Sequence, residues 1–278
     1  MKLQSALICL LCLTAYVQAA YNPSVAREMA YMSAIAYESA VSVQAWNCKL
    51  CSEYKIVLPK VFLNLTSGVR GFTGYSTSLN SIIVSFKGAD SINTFINELK
   101  TARESFEKCA NCEVSKSFNE LYLTVQPSVL NQIESLHRIY RNAGVYVTGH
   151  GLGGAFAILA ATDIKSLYQS TDAVYTFGQP RVGNDAFASY YSKFLPDTYR
   201  VINNADIVPH LPATNAGYQH SSLEEWYQNG MTTYKTCEGE SSSCSNSVPP
   251  QSWNLNDNSI NAYICISTAA SPQLAREV

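Results

Sequence analysis

Residues 145–154 read VYVTGHGLGG, and this stretch decides the fold. Val145, Val147 and Thr148 are β-branched residues, which favour a short buried strand. The glycines that follow mark a tight corner, and the run after them predicts a helix over residues 152–168. A strand that turns directly into a helix is the repeating unit of α/β proteins. The stretch therefore predicts an α/β fold.

The corner has the layout of a nucleophile elbow, G-x-S-x-G, in which a strained turn lifts a serine above a sheet. Here the pattern is Gly149-His150-Gly151-Leu152-Gly153, so the residue at the tip is Gly151. Glycine has no oxygen that could attack an acyl carbon. The sequence thus predicts the frame of a nucleophilic site that lacks its nucleophile.

Further strands and helices alternate on both sides of the corner, which predicts a mostly parallel central sheet with helices on both faces. The predicted strands are 53–64, 69–75, 81–86, 145–149, 173–177 and 198–202, and the predicted helices are 22–38, 91–106, 118–141 with an interruption at Pro127, 152–168 and 184–194. The tail after Tyr234 is rich in Ser, Asn and Pro, and we expect it to form surface loops.

Length and composition suit a single domain. The 278 residues are 47% apolar and 14% charged, enough to bury a large core, and the net charge of −2 gives no reason to expect nucleic acid. Residues 1–19 have a positive start, a short apolar run and small residues before a cleavage point, as in a secretory signal peptide. We therefore expect residues 20–278 to form one secreted domain without a transmembrane segment. Nothing implies a metal or an organic cofactor.

Seven cysteines remain after the predicted signal peptide. In an oxidising compartment we expect the local bridges Cys48–Cys51, Cys109–Cys112 and Cys237–Cys244, which leave Cys265 unpaired. The two C-x-x-C pairs could instead form a zinc site or a redox motif, but export and their wide separation favour disulfides. Asn64-Leu65-Thr66 is a glycosylation sequon, which indicates a glycoprotein.

Two residues downstream of the corner could complete a catalytic group. A serine hydrolase needs a histidine that takes the nucleophile's proton and a carboxylate that orients the histidine. In α/β-hydrolases the chain order is nucleophile, acid, histidine. Asp206 follows a predicted strand and His220 lies in a later loop, so both fit the order. A Gly151→Ser substitution would then complete a triad with Asp206 and His220.

Several motifs together resemble the class 3, or fungal-type, lipase family of the α/β-hydrolase fold over roughly residues 25–230. The motifs are SFKGADS at 85–91, VTGHGLGGA at 147–155, YTFGQPRVGN at 175–184, NNADIVPHLP at 203–212 and GYQHSSLEEWY at 217–227. The resemblance implies that Asp206 is the acid, that His220 is the base and that Gly151 stands at the nucleophile's position. It also implies that the backbone N–H groups of Ala89 and Leu152 form the oxyanion hole.

The segment at 91–99 has two interpretations. Ile92, Phe95, Ile96 and Leu99 fall at helical spacing and form one apolar stripe. The resemblance implies a lid that covers the cleft in water and turns towards lipid. The alternative is an ordinary surface helix packed on the core.

Three hypotheses about function remain open. The first is a secreted lipase-like protein of lipid or acyl-ester metabolism that is catalytically impaired because of Gly151. In this hypothesis it still binds a lipid or acyl-ester ligand or a lipid–water interface. The second is an active secreted triacylglycerol lipase or carboxylesterase in which residue 151 is a variant or a sequence error. The third is a non-catalytic structural or storage protein that keeps only the fold.

Overall fold

We describe the protein from a computed structural model, which covers residues 20–91, 94–96, 99, 101–169 and 171–273. The predicted signal peptide at 1–19 lies outside these described residues, as does Ile92 of the predicted lid.

The backbone is organised around one large twisted sheet. The strands, labelled β1 to β11 in chain order, are Ile56–Leu63, Arg70–Ser76, Ser81–Phe86, Arg103–Ser105, Glu113–Ser115, Gly144–His150, Thr171–Phe177, Thr198–Asn203, Leu223–Gln228, Thr233–Glu238 and Ser271–Pro272. Nine of them form a sheet in the order β1-β2-β3-β6-β7-β8-β9-β10-β11, and β4 pairs with β5. The run from β3 through β6, β7 and β8 to β9 is parallel, whereas β1, β2 and β10 add antiparallel pairs.

Helices cover both faces of this sheet. The helices, labelled α1 to α7 in chain order, are Pro23–Ile35, Ala40–Ala45, Lys116–Leu123, Gln126–Ile139, Leu152–Tyr168, Asp185–Phe194 and Ile260–Tyr263. Side chains alternate across β3: Ile82 and Val84 pack into the core beneath α5, and Ile83 packs into the opposite core beneath α1. The predicted mostly parallel sheet with helices on both faces is confirmed.

The predicted helix over 91–106 is wrong at its C-terminal end. Among the described residues only 94–96 are helical, and Arg103–Ser105 is β4, which pairs with Glu113–Ser115. Arg103 donates from Nε to Glu113 Oε2 at 2.8 Å across this pair. Pairing with a strand about ten residues later therefore overrides the local helical pattern.

The tail after Tyr234 is also more ordered than predicted. It contains most of β10, the edge strand β11 and α7, and Tyr263 and Ile266 are fully buried. The side chain of Tyr263 packs on Phe177 at the end of β7, with ring centroids 5.7 Å apart. The tail thus closes one side of the domain at the carboxyl ends of the parallel strands, where open α/β sheets bind ligands.

The three predicted disulfides, Cys48–Cys51, Cys109–Cys112 and Cys237–Cys244, are present. Cys265 is exposed and has no disulfide partner in the described part of the chain. Along the described ranges, none of the helices combines the length and apolarity needed to cross a bilayer.

Candidate functional site

The corner between β6 and α5 adopts the strained geometry of an elbow. Gly151 has φ +55° and ψ −124°, a region that side chains rarely occupy. Its N–H donates to the carbonyl of Phe177 at 2.8 Å, which fixes the turn to the end of β7. A Cβ added here would meet only Asn258 Oδ1, at 3.9 Å. The tip therefore has room for a side chain, at a backbone strain of about 1–3 kcal/mol.

The first turn of α5 lies unusually close to the sheet. A Cβ on Gly153 would collide with the backbone carbonyl of Phe86, at the end of β3. Glycine at this position lets the helix begin directly above the strand ends. The N-terminus of α5 therefore lies close to Phe86 and follows directly on Gly151.

The two residues whose backbone N–H groups are predicted to form the oxyanion hole, Ala89 and Leu152, line one cleft. Leu152 is the first residue of α5, so its N–H has no acceptor within the helix. Ala89 follows Lys87-Gly88 after β3, and it lines the same cleft as Gly151 and Leu152. The structure thus brings together three of the residues that the sequence singled out.

Asp206 lies just after β8 and is fully buried. Its Oδ1 accepts from the N–H of Val208 at 2.9 Å, and its Oδ2 accepts from Asn258 Nδ2 at 2.7 Å and Tyr263 Oη at 2.6 Å. Burial raises the pKa of Asp206 to about 6, although all three donors favour the charged form. The carboxylate is held rigidly, with one oriented side chain, Asn258, between it and Gly151.

Asn258 was missed by the sequence reasoning. Its Nδ2 binds the acid, while its Oδ1 is the atom nearest to the position where a side chain on Gly151 would begin. In a catalytic triad, the base that takes the proton of a nucleophile at 151 and is oriented by the carboxylate of Asp206 would occupy this place. A carboxamide cannot accept that proton at neutral pH, and a histidine could.

His150 joins the tail to the elbow. Its Nε2 donates to the carbonyl of Asn258 at 2.7 Å, because a carbonyl can only accept. Its Nδ1 therefore accepts from Tyr37 Oη, at 2.8 Å. Burial lowers the pKa of His150 to about 4, so the ring is neutral at pH 7. This pair of bonds positions Asn258 against the elbow.

The structure shows no hydrogen bond between the predicted pair, His220 and Asp206. His220 Nε2 donates to the carbonyl of Pro209 at 2.7 Å, and its Nδ1 has no hydrogen-bond partner in the described part of the chain. The backbone N–H of His220 donates to Glu240 Oε1 at 2.7 Å, and Arg181 clamps that carboxylate. These contacts direct the ring of His220 to the carbonyl of Pro209 and fix its backbone to Glu240.

His220 also lies on a different cavity. It lines a groove of about 480 Å³ beside α6, and this groove shares no lining residue with the cleft at Gly151. Burial and the positive charge of Arg200 lower the pKa of His220 well below its ordinary value. The ring is a neutral, buried part of the loop that precedes β9.

The cleft at Gly151 has a volume of about 270 Å³ and a largely apolar lining. Its apolar residues are Ala89, Phe95, Leu152, Val208, Leu255 and Ile260. Leu255 remains 46% exposed at the tail side of the cleft. A small cleft with an apolar lining and a few convergent polar groups suits the acyl part of a small ligand.

The apolar side chains of the predicted lid segment do not all face the same way. Phe95 is 3% exposed and lines the cleft, and Leu99 packs half-buried on the core, whereas Ile96 is 54% exposed. The N–H of Leu99 donates to the carbonyl of Phe95 at 2.9 Å, as in a helical turn. Phe95 and Leu99 therefore face inward and Ile96 faces outward.

Comparison with known proteins identifies the class of the chain. The family model for lipase (class 3) matches residues 83–216. A lipase from Rhizomucor miehei is 34% identical over 215 residues, which are 74% of this chain and 59% of the relative. The secreted mono- and diacylglycerol lipase 1 of Fusarium solani is 28% identical over 70% of this chain and 60% of that relative. This chain thus spans about three fifths of the length of these curated lipases.

Solved structures agree with the sequence relatives. A triacylglycerol lipase whose catalytic centre is a serine protease triad superposes with a TM-score of 0.77 at 31% identity, covering 89% of this chain and 96% of that one. The chain belongs to the class 3 lipase family of the α/β-hydrolase fold, with glycine at the tip of its elbow.

Proposed function

We propose that this chain is a secreted class 3 lipase-like protein that binds an acyl ligand in the cleft at Gly151 and does not hydrolyse it. The observation that carries the proposal is the elbow itself, which keeps its strained backbone and ends in a residue without a side chain. Without a nucleophile, no covalent acyl intermediate can form.

Asn258 supports the loss of catalysis independently. In this proposal Asp206 is the remaining acid, Ala89 and Leu152 are the remaining oxyanion donors, and Asn258 stands where the base would act. Two of the three catalytic side chains are then absent. An active enzyme that differs only at residue 151 would still lack a base, so the geometry disfavours that alternative.

The apolar lining of the cleft supports an acyl ligand. Family relatives act on acylglycerols, as the names of the Fusarium relative and of the solved triacylglycerol lipase state. In our proposal Phe95, Ile96 and Leu99 belong to a lid segment beside the cleft. The outward Ile96 and the exposed Leu255 would then meet the ligand or a lipid–water interface first.

Disulfides support the secreted location. Three local bridges in one chain are typical of an oxidising compartment. The proposal also includes a signal peptide at 1–19, a single domain over 20–278 and glycosylation at Asn64.

A change at the mouth of the cleft tests ligand binding. We expect Leu255→Asp to weaken binding of a fluorescent fatty acyl probe by roughly tenfold, because a carboxylate replaces half-exposed apolar surface that the acyl chain would cover. Fluorescence titration of the folded variant measures this loss.

Leu167→Asp is the matched control, because Leu167 is 60% exposed near the C-terminal end of α5, outside the residues that line the cleft. Equal weakening by both substitutions would mean that the probe binds the general surface. No measurable binding by the native chain would refute the proposed function.

A further inference from the structure

The orientation of the Asn258 carboxamide is fixed by its neighbour. An ionised carboxylate only accepts hydrogen bonds, so the group that faces Asp206 at 2.7 Å must be Nδ2. The oxygen Oδ1 is then turned towards Gly151 and the cleft that Asn258 lines. Within the described residues, Oδ1 has no hydrogen-bond donor, and it is not among the polar atoms sealed from solvent. The cleft therefore presents a free acceptor.

This acceptor shares the cleft with Ala89 and Leu152, the two residues proposed as backbone amide donors. A ligand that satisfies both kinds of group carries a carbonyl oxygen for the N–H groups and an N–H for Oδ1. We propose that the cleft selects acyl amides with a free N–H on the carbonyl group over the corresponding esters.

Glycine at position 151 and asparagine at position 258 act together in this selection. With no side chain on Gly151, the carbonyl carbon of a ligand can lie against the turn, within reach of the short Asn258 side chain. The amide nitrogen then donates to Oδ1. An ester offers only an oxygen with lone pairs at that point, so Oδ1 would lose its water without gaining a donor. An ionised fatty acid would place a negative oxygen against Oδ1.

This inference rests on the proposed function, because it names the ligand class of the same cleft. The test measures displacement of the fluorescent acyl probe by octanamide, N-methyloctanamide and N,N-dimethyloctanamide. We expect the first two to bind the native chain about fivefold to tenfold more tightly than the third, which has no N–H. A loss already seen with N-methyloctanamide would show that the bulk of the methyl group, and not the donor, sets the order, and would overturn the inference.

A variant of Asn258 tests whether its Oδ1 accepts the hydrogen bond from the N–H of the ligand. In Asn258→Leu, of similar size but without an acceptor, we expect the affinity ratio of N-methyloctanamide to methyl octanoate to fall about fivefold to tenfold. Because this variant also removes a hydrogen bond of Asp206, the ligand series on the native chain decides the question if the variant does not fold. Equal binding of all three amides overturns the selectivity and leaves the proposed function standing, whereas failure of every acyl compound to bind overturns both.

Discussion

A chain that carries both Gly151→Ser and Asn258→His will hydrolyse short-chain nitrophenyl esters at least about a hundredfold faster than either single variant. The double change supplies a nucleophile at the tip of the elbow and a histidine between it and Asp206. Gly151→Ser alone has no base, and Asn258→His alone has no nucleophile. The initial rate of nitrophenolate release, corrected for spontaneous hydrolysis, measures the effect.

Two further substitutions in the double variant identify the acid and the base. Asp206→Asn should abolish the gained activity, because the carboxylate no longer orients the new histidine. His220→Ala should leave the activity in place, since His220 lies on a separate groove. Activity in Gly151→Ser alone that disappears with His220→Ala would restore the pairing predicted from the sequence and contradict the assignment of Asn258.

Acid should destabilise the protein through its buried neutral histidines. The pKa of His150 is about 4 in the folded chain and 6.5 ordinarily, so the unfolded chain takes up the proton first as pH falls. The stabilisation from neutral His150 is fully present above pH 6.5 and is lost as pH falls towards 4. Over this pH range this loss lowers the free energy of unfolding by about 3 kcal/mol.

The comparison of the native chain with His150→Gln isolates this contribution. Asp206 and Glu225 have the opposite sign, because burial raises their pKa to about 6 and about 7 and their protonated forms favour the fold at low pH. Both groups remain in the variant, so their effects cancel in the difference. We expect the destabilisation caused by His150→Gln to shrink by about 3 kcal/mol between about pH 8 and about pH 4 in urea titrations. A difference that does not change with pH would contradict a neutral, buried His150.

The central part of the fold could be predicted from local pattern. Apolar residues at regular spacing and glycines at the turn mark the central elements clearly. The sequence therefore predicts closely the positions of the elbow, the strand Ser81–Phe86 and the helix Leu152–Tyr168. The three disulfides join cysteines at most seven residues apart, which made their pairing accessible from spacing.

The remaining elements and the contacts of the site depended on tertiary structure, which the local sequence pattern does not show. Arg103–Ser105 reads locally as part of a helix but pairs as a strand with Glu113–Ser115. The polar tail gave no periodic signal, yet Asn258 and Tyr263 both reach Asp206 from it. His220 fits the expected order of catalytic residues, and only tertiary structure shows that its ring faces Pro209.

A protein that binds an ester in this cleft without hydrolysing it can be told from an active lipase by measuring binding and turnover of the same ester. The native chain is incubated with methyl octanoate at concentrations that displace the fluorescent acyl probe, and the ester and free octanoate are then quantified by mass spectrometry. We predict saturable displacement with the ester recovered intact, at the level of a protein-free blank. Octanoate formation above that blank that is lost in Asp206→Asn would contradict the account.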